Sequence, residues 1–153
     1  MSKTSSNLVS GTTGEKRFTS VKHTYLREKA SQEIRKMINS TKDGKSKAIA
    51  VGAYDAKTGN IVTSFAKGIP NNIHPELLKR ANEIGGIGTH GLTERNIVGV
   101  CAEFHVVNEL LLKGSKWSDI RLTSAIRPRT GQKIPFCANC KKMFYDIIDK
   151  GEW

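Results

Sequence analysis

The placement of cysteine constrains this chain more than any other feature. Its 153 residues contain three cysteines, all in the last third. Cys101 stands in Cys101-Ala102-Glu103, and Cys137 and Cys140 close the run Pro135-Phe136-Cys137-Ala138-Asn139-Cys140. An odd number cannot all enter a disulfide framework, and a Cys-x-x-Cys favours metal or redox use. Three thiolates can hold one zinc and leave its fourth position to water. Cys137 and Cys140, three apart, share one face at the start of a helix. Cys101 opens another helix, so two positive helix N-termini would point at the metal and stabilise thiolates. Glu103 is offset by two from Cys101, which places it beside the open position without making it a ligand, where it can move protons. Three thiolates overcompensate a divalent cation, so a neighbouring cation is expected, with Arg127, Arg129, Lys141 and Lys142 as the candidates.

The rest of the chain reads as a scaffold. Residues 1–20, rich in Ser, Thr, Gly and Lys, are expected to be a flexible lead-in or linker, and residues 21–153 one domain. Tyr25 to Ile38 has helical periodicity, with Leu26, Ala30, Ile34, Met37 and Ile38 on one face. Ala48 to Tyr54 is brief, apolar and bounded by turns, as a strand buried on both faces would be. Lys57-Thr58-Gly59-Asn60 predicts a hairpin turn, with Ile61 to Ala66 returning. Pro75 fits a first helical position, and Glu76 to Ile84 follows with Leu77, Leu78, Ala81 and Ile84 inward. Gly85 to Gly91 has four glycines in seven residues and predicts a mobile loop. Asn96 to Lys113 carries Cys101 and its helix, with Val100, Phe104, Val107, Leu110 and Leu111 as the apolar face and Gly114 as the stop. Ile120 to Ile126 predicts a third strand, residues 127–133 a basic loop, and Cys137 to Ile148 a last helix. This alternation implies an α/β sandwich.

The net charge is +11 and the isoelectric point near 9.8, which favours polyanions and makes nucleic acid the leading partner. No apolar run is long enough to span a membrane. No signal core is visible at the N-terminus, so export would need a larger parent chain or a dedicated machine.

Cys-Ala-Glu followed by Pro-x-Cys-x-x-Cys resembles the signature of the zinc-dependent nucleobase and cytidine deaminase superfamily. The small size and basic charge resemble the deaminase domains of bacterial polymorphic toxins. The resemblance implies a three-layer α/β/α cytidine-deaminase-like fold: a mixed sheet with a β-hairpin and helices on both faces. It implies one Zn²⁺ on Cys101, Cys137 and Cys140, with Glu103 as proton shuttle. The implied reaction is hydrolytic deamination of cytosine to uracil in nucleic acid; a single strand is easier to reach than a duplex because the base need not be flipped out, so single-stranded DNA leads and RNA stays open. It further implies a secreted effector domain of a larger toxin, acting in the cytoplasm of a target bacterium and restrained at home by an immunity protein. Two departures stand out. Phe136 separates Pro135 from Cys137, and little chain remains for the two strands that usually close the sheet.

For substrate contacts, the resemblance implies an asparagine in the loop after the second strand that hydrogen-bonds the base, with Asn71 or Asn72 as candidates, and His90 is a candidate to stack on a base or nucleotide. Phe136 is a stacking candidate, Ala102 a further contact, and Arg127 and Arg129, with Lys133, phosphate holders. Trp117 serves either stacking or the core. Three alternatives stay open. His105, one turn after Cys101, can close a Cys₃His structural site with no open position, giving a non-enzymatic zinc-stabilised nucleic-acid-binding module. The substrate can be a free nucleoside. A thioredoxin-like redox role leaves Cys101 beside Glu103 unexplained.

Overall fold

Strand β1, Ala50–Asp55, is buried along its whole length and the rest of the fold is laid against its two faces and two edges. The structure, a computed structural model, describes the backbone of residues 12–152 and the side chains of residues 22–151. Val51 and Ala53 belong to the main core on one face, while Ala50 packs with Ile34 and Ile38 on the other. A strand buried on both sides needs no polar alternation, which is why the run reads as continuously apolar.

Helix α1, Thr12–Ser40, covers the second face. Leu26, Ala30, Ile34 and Ile38 are buried, as the periodicity predicts, and Met37 and Phe65 flank them. The helix approaches β1 so closely that a Cβ on Gly52 would stand 3.2 Å from Ile34 Cδ1. It begins well before Tyr25, so the expected lead-in is helical from Thr12 onward. The remainder of that lead-in, residues 1–11, lies outside the described residues.

β1 pairs antiparallel with β2, Ile61–Phe65, across the predicted turn. Asp55 Oδ1 accepts the amides of Lys57 and Thr58, and Gly59 takes the left-handed φ of 82° that the turn demands. Helix α2, Pro75–Asn82, has Pro75 in its first turn and His74 as N-cap, whose Nδ1 accepts the Glu76 amide. Leu77, Ala81 and Ile84 are buried, but Leu78 is exposed, because the face toward the core is narrower than predicted. Helix α3, Ala102–Leu112, is buried on nearly every side. Full enclosure of a side chain such as Phe104 contributes roughly 1.5–3 kcal/mol. Cys101 opens α3 as its N-cap, where the sequence reading puts the helix start.

The single strand expected over Ile120–Ile126 is two, β3 (Ile120–Leu122) and β4 (Ala125–Ile126). Between the pairs Ala53–Leu122 and Ala50–Ile126, β1 spends Val51 and Gly52 while its partner spends Thr123, Ser124 and Ala125. The extra residue is a β-bulge. Thr123 repairs the ladder: its hydroxyl accepts the Gly52 amide at 3.1 Å, and its own amide donates to Gly52 O at 3.0 Å. The basic loop is the turn of a further hairpin, since β5, Lys133–Ile134, pairs with β4. Helix α4, Ala138–Phe144, stops before the predicted Ile148, and the chain returns to β3. Leu122 N–H donates to Ile147 O and Asp149 N–H to Leu122 O, giving one parallel bridge, Leu122–Ile148.

The described residues thus form a mixed α/β fold with a five-stranded sheet, α1 on one face and α2, α3 and α4 in the main core on the other. Its named strands pair antiparallel, and the isolated Leu122–Ile148 bridge is parallel. The chain end is tied down by a polar network. Arg27 grips Asp149 with Nε at 3.0 Å and Nη2 at 2.8 Å, the Tyr54 hydroxyl donates to the same carboxylate, and His23 Nδ1 lies 2.8 Å from that hydroxyl. Among the described residues no helix is long and apolar enough to cross a membrane.

Candidate metal centre

Two helix starts meet at the cysteines. Cys101 is the N-cap of α3, Cys137 the N-cap of α4, and Cys140 lies in the first turn of α4. Both caps have extended backbone, with ψ of 147° and 167°, which turns the chain sharply into each helix and leaves the side chain at its mouth. The three Sγ atoms all lie within 4.8 Å of one another, and none is in a disulfide. Thiolates held at about 2.3 Å around a tetrahedral ion stand about 3.8 Å apart, so these three cysteines can hold a metal ion.

The protonation of the trio fits the same purpose. Cys137 is drawn down to about 2 by hydrogen bonds from the Cys101 and Cys140 thiols, with the first-turn amides of α4 adding to them. The Cys137 thiolate holds the Cys101 proton, pushing Cys101 up to about 12, and Cys140 is raised as well. A divalent ion held by all three sulfurs would favour their thiolate forms and draw off thiol protons.

Glu103, in the first turn of α3, is 2 % exposed. Burial lifts its carboxyl to about 7, and the Cys137 charge pushes the same way. A carboxyl held there can both take and give a proton near neutral pH.

His105 does not join the cysteines. Its Nε2 hydrogen-bonds Lys67 O at 3.0 Å, and burial holds its imidazole below the usual range. The converging set contains Cys101, Cys137 and Cys140 without it, so no Cys₃His closure is formed.

The expected substrate contacts divide. Asn71 and Asn72 are exposed and line a groove of about 500 Å³ with Lys67, Ile69 and His105. The three cysteines are not among the residues that line that groove. The groove loop is pinned by Asn108, which sequence reading missed: its Nδ2 donates to Asn72 O at 2.8 Å and its Oδ1 accepts the His74 amide at 2.9 Å. His90 is exposed on the glycine-rich loop. Ala102 and Phe136 are buried in the main core, so neither offers an open stacking face. Trp117 is core: it stacks on Phe144 with centroids 6.0 Å apart, and its Nε1 donates to Asp146. Arg127 and Arg129 are exposed on the β4–β5 turn, as are Lys141 and Lys142 on α4.

A second missed residue is Asn139, between the paired cysteines and fully enclosed. Its signal in the sequence is a polar amide inside a Cys-x-x-Cys, which says nothing of its partners. Set beside known proteins, the chain matches no protein-family model, no curated protein and no solved structure.

Proposed function

We propose that this protein is a zinc-dependent deaminase that converts cytosine to uracil in nucleic acid, with single-stranded DNA as its first substrate. The observation that carries the reading is the convergence of Cys101, Cys137 and Cys140 within 4.8 Å, with the buried carboxyl of Glu103 on the same helix start and His105 engaged elsewhere. Zinc, when bound there, supplies Lewis acidity that activates water. Glu103 would take a proton from water and pass it to the exocyclic amine; a bond from the water oxygen to the ring carbon forms, the carbon–nitrogen bond breaks, ammonia leaves, and the second water proton ends on the ring nitrogen of the carbonyl product. The low accessibility of Glu103 keeps bulk water from competing for that proton.

The net charge of +11 supports a polymeric anion over a free nucleoside. Arg127 and Arg129 on their exposed turn and His90 on the glycine-rich loop are the side chains assigned to strand binding. The role of an interbacterial toxin, delivered as part of a larger chain into a target cytoplasm and neutralised by an immunity protein, rests on the motif resemblance alone.

The test is to incubate zinc-loaded protein with single-stranded DNA, duplex DNA, RNA and free cytidine and to measure uracil by mass spectrometry. Uracil should form fastest in single-stranded DNA and be abolished in Glu103→Ala. No conversion in any substrate, or a Glu103→Ala variant equal to the parent, refutes the proposal. Conversion of cytidine alone replaces the polymeric substrate with a nucleoside.

A further inference from the structure

The amide of Asn139 is spent entirely on one distant loop. Its Oδ1 accepts the Leu92 amide at 2.7 Å, and its Nδ2 donates to His90 O at 3.0 Å and to Thr93 Oγ1 at 3.4 Å. The loop is otherwise knotted on itself: Thr93 N–H donates to His90 O, and Thr93 Oγ1 accepts the Asn96 amide. Gly91 has φ of 60°, and a Cβ there would collide with Asn139 Oδ1, so the loop backbone is moulded to this side chain. The loop presents exposed His90, Leu92 and Arg95, a ring, an apolar group and a cation that suit a base-bearing anion. Asn139 itself stands in the first turn of α4 between Cys137 and Cys140, so whatever fixes those two cysteines fixes Asn139.

We propose that Asn139 is a positioning residue that ties the His90–Asn96 loop to the metal-holding turn, so that metal loading sets the loop. The inference rests on a metal at the three cysteines and not on deamination itself. Losing one buried hydrogen bond to a side chain can change a local opening equilibrium by about tenfold.

The experiment is amide hydrogen exchange at Leu92 in the parent, Asn139→Ala and Asn139→Asp, each with zinc and with a chelator, while cobalt(II)–thiolate absorption reports metal binding separately. Zinc should slow Leu92 exchange in the parent. Asn139→Ala should speed it about tenfold while keeping the cobalt bands, and Asn139→Asp, which retains the acceptor for Leu92, should recover part of the protection. Equal Leu92 exchange in the parent and Asn139→Ala overturns the proposal, as does a parent whose Leu92 exchange ignores zinc. A parent without cobalt bands refutes the metal centre and with it the metal control of the loop. Should Asn139→Ala not fold, the comparison of Gly91→Ala with Gly91→Ala/Asn139→Asp remains. Set with the parent and Asn139→Asp they complete a double-mutant cycle read by Leu92 exchange, in which non-additive effects support the tie and additive ones overturn it.

Discussion

Glu103→Gln separates chemistry from stability in a single variant. The side chain keeps its shape but can no longer exchange a proton. In the folded protein burial raises the Glu103 carboxyl from 4.5 to about 7. The folded state therefore binds this proton more tightly than the unfolded state does. The contribution to stability is complete below the unfolded value of 4.5 and is lost as pH rises through about 7. At about 1.4 kcal/mol per pH unit, the displacement is worth roughly 3 kcal/mol. Glutamine has no such dependence. In chelator-treated protein the stability of Glu103→Gln relative to the parent should accordingly rise by roughly 3 kcal/mol between about pH 4 and about pH 8. Urea unfolding at the two pH values measures it. In zinc-loaded protein the same variant should lose about 10²–10⁴-fold in the rate of uracil formation with its metal content unchanged. A stability difference that stays constant with pH refutes the buried, proton-holding carboxyl, and an undiminished rate refutes the shuttle.

Serine in place of Cys101, Cys137 or Cys140 should weaken zinc by more than the about 10–100-fold typical of losing an outer partner, read by competition with a chromophoric chelator; unchanged affinity in any one removes that residue from the ligand set. Asp149→Asn should cost about 1–3 kcal/mol at neutral pH, since it removes the negative charge and one of the two oxygens that accept from Arg27 and Tyr54. Burial raises the Asp149 carboxyl, but the bonds from Arg27 and Tyr54 outweigh it and leave the pKa below 3.8. That stabilisation is present above 3.8 and fades as pH falls through the folded value, so parent and variant should converge in acid. Arg127→Ala and Arg129→Ala should each weaken single-stranded DNA binding and flatten its salt dependence by about 0.7 for each phosphate that is no longer neutralised; an unchanged slope assigns those arginines to solvent.

Local pattern carried far. The apolar run at β1, the Lys57–Asn60 turn and the Leu26/Ala30/Ile34/Ile38 stripe of α1 each stand where their periodicity puts them, because burial against one partner writes a repeating signal. The bulge at Thr123–Ala125 was not legible. It needs no glycine, and it exists only because β1 lies opposite and Thr123 can replace a missing ladder partner. The β4–β5 hairpin was hidden for a related reason: two residues per strand are too few to show alternation. Leu78 was placed inward by spacing alone, whereas the width of the buried face depends on what packs against α2.

The candidate site divides along the same line. That Cys101, Cys137 and Cys140 form a set, with Glu103 beside them, was readable from residue type and offset, since a helix start fixes where neighbours within one turn must point. Only the tertiary structure decided that the two helix starts meet within 4.8 Å, that His105 turns to Lys67 O, and that Phe136 and Ala102 are enclosed. Spacing along a chain determines which residues share a turn. Which turns face one another, and which amide such as Asn139 is satisfied by a loop 46 to 49 residues away, is settled by packing, where every buried polar group must find its partner in space.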